Sequence, residues 1–163
     1  MDNNNYNIFS TRTGNVFENE CAMRVCNVHK TTEGSYFELT VGTERDRFDG
    51  TDVVYGWDRQ VMGKVIKNHI PIDFTYNFAG KNRMKVLPVT YELSCGIKLK
   101  FGIRYGNSHR DFSEPVLVIG FEADSSWLNK MMEDIMDDFE KSWSEIFRIG
   151  SGKYRQLVPI KAC

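Results

Sequence analysis

The sequence predicts an α/β (α+β) fold: a central mixed sheet of about six strands, flanked by an N-terminal helix and a long C-terminal helix. Three observations carry that expectation. Apolar residues recur at helical spacing near the start and again over a long stretch near the end. Between them, short runs of β-branched and aromatic residues alternate with polar turns. One run, Pro115 to Phe121, is apolar without interruption, as a strand buried on both faces requires.

Each element follows in order. Met1 to Thr13 is polar and reads as a flexible arm. A helix is predicted from about Asn15 to Val28, because Phe17, Cys21, Arg24 and Val28 share one stripe with Val25 beside them. The cluster Thr31-Thr32-Glu33-Gly34 ends it. Ser35 to Val41 reads as a strand and Gly42 to Arg47 as a charged turn. Thr51 to Tyr55 and Ile70 to Phe78 are the next strands, separated by a basic excursion, Gly56 to Asn68, that carries Trp57. A turn at Ala79 to Asn82 leads into strands at Val86 to Leu93 and Ile97 to Tyr105. In the second of these, Ile97, Leu99, Phe101 and Ile103 alternate with Lys98, Lys100 and Arg104, which predicts a half-exposed strand with a cationic outer face. After a polar loop and the Pro115 to Phe121 strand, a helix is expected from Ser126 to Phe147, with Ser125 as N-cap. Its core stripe is Leu128, Met131, Met132, Ile135, Met136, Phe139, Trp143 and Ile146. The tail from Gly150 could add an edge strand through Leu157 to Ile160.

At 163 residues the chain reads as a single domain, 1–163, with 1–13 as the arm. No apolar run reaches the roughly 20 residues of a membrane span, and the first residues lack a signal-peptide layout. Four cysteines without a CxxC pair suit reduced thiols and a cytoplasmic protein, although an even count also permits disulfides. Charge is segregated. Arg59 to Arg110 holds 10 Lys/Arg against 2 Asp/Glu, a net of +8, and Asp111 to Phe147 holds 2 Lys against 10 Asp/Glu, a net of −8. The basic half can meet phosphates, or the two halves can lie together and neutralise each other.

The chemistry concentrates at Asp52 and Asp73, each set beside strand-forming residues. A carboxylate in a buried strand is expensive without a cationic partner, and two held close together suggest a divalent metal. The alternative is structural: Asp52 caps backbone donors at a turn, and Asp73 pairs with Lys or Arg across the sheet. Cys21, Cys26 and His29 do not form a metal set, since five helical residues turn Cys21 and Cys26 about 140° apart. His29, His69 and His109 are scattered.

Gly14-x-x-Phe17-Glu18, Phe48-Asp49-Gly50-Thr51-Asp52 and Ile72-Asp73-Phe74-Thr75 occur in the order of an early helical Glu, a metal-binding Asp and a second acidic motif. That order resembles the PD-(D/E)XK nuclease superfamily over roughly Gly14 to Asn77. The resemblance implies a restriction-endonuclease-like core, Mg²⁺ or Mn²⁺ held by Asp52 and Asp73, and Glu18 as an outer acid. Thr75 stands where the family has its Lys. The charge would then come from Lys81, with Lys85, Lys64 and Lys67 as further sources. Without such a migration the protein binds without cutting. The chain also shows no helix between Val86 and Phe121, where the family usually has one.

The expected function is metal-dependent hydrolysis of DNA or RNA phosphodiesters, with Glu18, Asp52, Asp73 and Lys81 as catalytic residues. Lys64, Lys67, Arg83, Lys85, Lys98, Lys100 and Arg104 would bind the nucleic acid. The alternative is a non-catalytic interaction protein that docks onto a host nucleic-acid enzyme or onto nucleic acid. A protein partner and a homodimer are compatible with either reading. The small size and Asn-rich start suit a phage or mobile-element protein.

Overall fold

A computed structural model describes residues 3–28, 34–44, 50–81, 83–105 and 114–158, with side chains from Val16 onward. Helix α1 spans Asn3–Val28. Six strands follow: β1 (Ser35–Leu39), β2 (Val53–Val61), β3 (Lys64–Thr75), β4 (Met84–Glu92), β5 (Lys98–Arg104) and β6 (Val116–Phe121). Helix α2 spans Ser125–Leu157. The strands form one mixed sheet in the order β1-β2-β3-β6-β5-β4. Neighbours are antiparallel except β3 and β6, which run parallel. The protein is therefore of the α/β class with the predicted flanking helices.

Both helices contribute to one core. Phe17, Cys21, Ala22 and Val25 of α1 join Leu128, Ile135, Met136, Phe139, Trp143 and Ile146 of α2 over the sheet residues Val53, Ile72, Phe74, Leu117, Ile119 and Phe121. Aromatic edges tie the layers together: Phe17 meets Phe121 at 4.9 Å and Phe74 meets Phe139 at 5.7 Å between ring centroids. Alternation along β3 places Ile70, Ile72 and Phe74 in this core, so Pro71, Asp73 and Thr75 point to the opposite face. That opposite face is closed over the central strands by Phe78, which lies against Gly120, and by Met84, which lies against Gly102. A side chain at either glycine would collide with these residues.

Several element boundaries differ from expectation. The helical backbone begins at Asn3, so the segment read as an arm continues α1. The excursion Gly56 to Asn68 is a continuation of the strands themselves: β2 and β3 stay in register from Val53↔Ile72 to Val61↔Lys64 and turn at Met62-Gly63. Strand β3 ends at Thr75 and not at Phe78, and Phe78–Gly80 form a 3₁₀ turn. The N-cap of α2 is Asp124, whose carboxylate accepts from the Trp127 amide at 2.8 Å. That helix runs past Phe147 to Leu157, and the Val158 amide then bonds Tyr154 O, so Leu157 is helical and does not start an edge strand. Residues 159–163, along with Asp49, His29, His109 and Cys163, lie outside the described part.

Charge complementarity is partly realised. Lys100 pairs with Glu122 across the basic and acidic segments. Asp137 and Glu140 are met instead by Arg24 of α1. Among the described residues, Cys21, Cys26 and Cys95 are free thiols. No described helix is long and apolar enough to cross a membrane.

Candidate metal centre

The candidate site forms where β2 begins beside the end of β3. The Thr51-Asp52 backbone is fixed from both sides. Thr40 and Val41 both donate their amides to Asp52 O at 2.9 Å, and Thr40 Oγ1 donates to Thr51 O at 2.7 Å. On the other side the Asp52 amide donates to Ile72 O at 2.8 Å. This extends the β2–β3 ladder to Asp52 and directs its side chain at β3, where Asp52 Oδ2 accepts from the Phe74 amide at 2.8 Å. Gly50, at φ +68°, leads into this segment in the left-handed region that favours glycine. A Cβ there would sit 2.8 Å from an Arg104 guanidinium nitrogen and 3.8 Å from Asp73 Oδ2, so the Gly50 backbone passes close beside the site.

Asp73 projects into the same place from the face of β3 opposite the helices. It is buried, and burial pushes its carboxyl above the usual range. Lys81, Arg104 and a hydrogen bond with Asp52 oppose that shift. Lys81 Nζ stands 3.0 Å from Asp73 Oδ2 and Arg104 approaches the same oxygen at 3.8 Å. The 3₁₀ turn at Phe78–Gly80 is what returns Lys81 to β3, and Lys81 N donates to Phe78 O in the process.

Glu18 completes the cluster. It follows buried Phe17 and lies at the margin of the α1 stripe. Oxygen atoms of Glu18, Asp52 and Asp73 all lie within 4.8 Å of one another. The negative charge is felt nearby: burial pushes the Cys21 thiol well up, and Asp52, Glu18 and Glu20 add to the shift.

Three carboxylates from three elements are a hard oxygen donor set, suited to Mg²⁺ or Mn²⁺ rather than to a thiolate-seeking metal. Oxygens bound to one such ion at about 2.1 Å stand roughly 3–4 Å apart, so a modest contraction of the cluster fits them to a single ion. The same geometry also contains the structural features expected of the alternative. Asp52 accepts from a backbone donor and Asp73 pairs across the sheet with a cation of β5.

Of the other residues singled out from sequence, Thr75 is buried and its Oγ1 accepts from the Asn77 amide at 2.9 Å, which ties it to the turn. Arg104, expected on an outer nucleic-acid face, lies in the site. Strand order explains this. Asp73, Val118 and Gly102 stand opposite one another across three strands, and Arg104 is two residues along β5 from that row. Lys64 and Lys67 cannot supply the missing charge. At about 3.3 Å per residue they stand roughly 30 and 20 Å from Asp73 along the same strand. Lys85 and Lys98 are exposed on β4 and β5, and Arg83 is exposed at φ +56°. No protein-family model matches the chain, and no curated protein or solved structure is significantly similar to it.

Proposed function

We propose that the protein is a metal-dependent nuclease with a restriction-endonuclease-like core, divergent from the PD-(D/E)XK superfamily. The observation that carries this reading is the convergence of Glu18, Asp52 and Asp73 within 4.8 Å, with Lys81 3.0 Å from Asp73. A structural ion pair needs one carboxylate and one cation. Three carboxylates brought together from three elements beside two cations form an oxygen-rich cluster that a divalent ion would suit.

Glu18, Asp52 and Asp73 hold the ion in this reading. A bound Mg²⁺ or Mn²⁺ stabilises charge on the phosphoryl group and acidifies water. Lys81 supplies, from the turn after β3, the positive charge that Thr75 lacks. Arg104 adds a second cation beside the phosphate path. Lys98 and Lys100 of β5 share the Asp73 face and offer further phosphate contacts to DNA or RNA, whereas Lys85 pairs with Ile103 on the helix side and does not.

The test is Mn²⁺-dependent cleavage of a mixed DNA and RNA pool by the wild type and by Asp73→Ala. Cleavage that disappears in the variant supports the nuclease. Salt-sensitive nucleic-acid binding without cleavage in either protein would replace it with a binding-only nuclease fold. Neither binding nor cleavage would leave the non-catalytic, protein-docking reading.

A further inference from the structure

Away from the metal centre, the far half of the β2–β3 hairpin leaves the body of the sheet. The pairing of β1 with β2 stops at Trp57, and that of β6 with β3 covers Ile72 to Thr75. From Asp58↔Lys67 to Val61↔Lys64 the two strands have only each other within the described sheet. Four residue pairs give a two-stranded ribbon about 13 Å long. Every residue from Asp58 to Val65 is exposed.

The ribbon's tip is chemically odd. Val61 and Lys64 pair directly, so Met62-Gly63 is a two-residue turn, with φ +52° and +80°. Such turns favour Asn-Gly, because both positions need the left-handed region. Here the first position is methionine, 98% exposed, in a backbone conformation that a side-chain-bearing residue adopts at a cost. Val61 and Val65 add exposed apolar surface just below it. A partner that buries the tip would repay that cost. Charge identifies the partner. Over Asp58 to Lys67 the ribbon carries Arg59, Lys64 and Lys67 against one carboxylate, Asp58. Lys67 stands directly opposite Asp58 on one face, whereas Arg59 and Lys64 share the other face without a carboxylate, so the net positive charge lies on the Arg59–Lys64 face.

We infer that this ribbon is a groove-entering arm for double-helical B-form DNA. Arg59 and Lys64 grip the phosphates from one face of the ribbon, and Met62 wedges against the base steps. A two-stranded ribbon fits a DNA groove, and methionine is among the apolar side chains that wedge between bases. The arm goes beyond the nuclease reading and does not require it.

The test uses the full chain in EDTA, so that binding is read without cleavage. A labelled 30-base-pair DNA duplex is titrated by fluorescence anisotropy, and a duplex bearing 2-aminopurine reports unstacking. Met62→Asn installs the favoured turn residue, so loss of fold does not confound it. The proposal predicts about 5–10-fold weaker binding by Met62→Asn, loss of the 2-aminopurine signal, and undiminished thermal stability. It also predicts that Arg59→Gln and Lys64→Gln together lower the salt-dependence slope by about 1.8, near 0.9 per phosphate contact. Unchanged DNA affinity in both variants overturns it. So does equal or stronger binding of an A-form RNA duplex, whose deep narrow groove excludes side chains. Failure of the metal centre alone would leave these results intact.

Discussion

The two ends of β3 live under opposite constraints. At its Asp73 end the strand runs between β2 and β6, with Phe74 in the aromatic core and Asp52 bonded to its backbone. At its Lys64 end it has β2 alone and faces solvent. The first end is fixed by packing on all sides, so it can hold like charges close together. The second end is fixed only by its turn. One strand thus combines a rigid carboxylate cluster with an exposed hairpin tip, and the difference separates what each end is able to do.

The strongest way to break the comparison is to remove the carboxylate from the rigid end. Asp73→Ala is expected to lower Mn²⁺-dependent cleavage by about a thousandfold or more, measured as single-turnover rates. Packing is tested next. Phe74→Ala should cost about 3–5 kcal/mol in chemical denaturation, while Ile66→Ala, within the ribbon, should cost less than about 1 kcal/mol. Equal costs would show that the two ends are not differently anchored. Lys81→Met should reduce cleavage by roughly a hundredfold while leaving metal affinity nearly intact. A loss of metal affinity instead would make Lys81 a structural support for the carboxylates.

The smallest effect concerns pH. Burial raises the Asp73 carboxyl, so the folded chain holds that proton more tightly than the unfolded chain. Its contribution to stability is present below the unfolded value, near about 4, and is lost as pH rises through the folded value. Asp73→Asn removes this dependence. Its melting temperature should exceed that of the parent at pH 7, and the gap should close toward pH 4. Lys81 and Arg104 keep side-chain exposures of 28% and 20%, so water compensates part of the lost pairing. A less stable Asn variant at pH 7 would show that the ion pairs outweigh the burial cost.

Much of this arrangement can be read from residue order, for local reasons. Alternation along Ile97 to Arg104 and the apolar run to Phe121 specify strands because a side-chain period of two is set by the backbone itself. Asp52 and Asp73 stand out because carboxylates beside strand formers need an explanation. Strand order is another matter. That Arg104 reaches Asp73 depends on β6 inserting between β3 and β5, a long-range choice with no local signal. Lys81 depends on the tight turn at Phe78–Gly80, which makes one of several lysines the near one. The hairpin extension was hidden because Gly56 and the charges after it look like an interruption. Gly56 instead makes room for Tyr36, whose ring would clash with a Cβ at that position. The helix before Asn15 is polar, so no apolar stripe announces it.

The central claim is that Glu18, Asp52 and Asp73 together hold a divalent ion. Calorimetric titration of Mn²⁺ into the wild type and into Asp52→Asn tests it most directly. The account predicts one bound ion per chain in the wild type and at least a tenfold loss of affinity in the variant. Absence of binding by the folded wild type at millimolar Mn²⁺, or equal binding by both proteins, would contradict it.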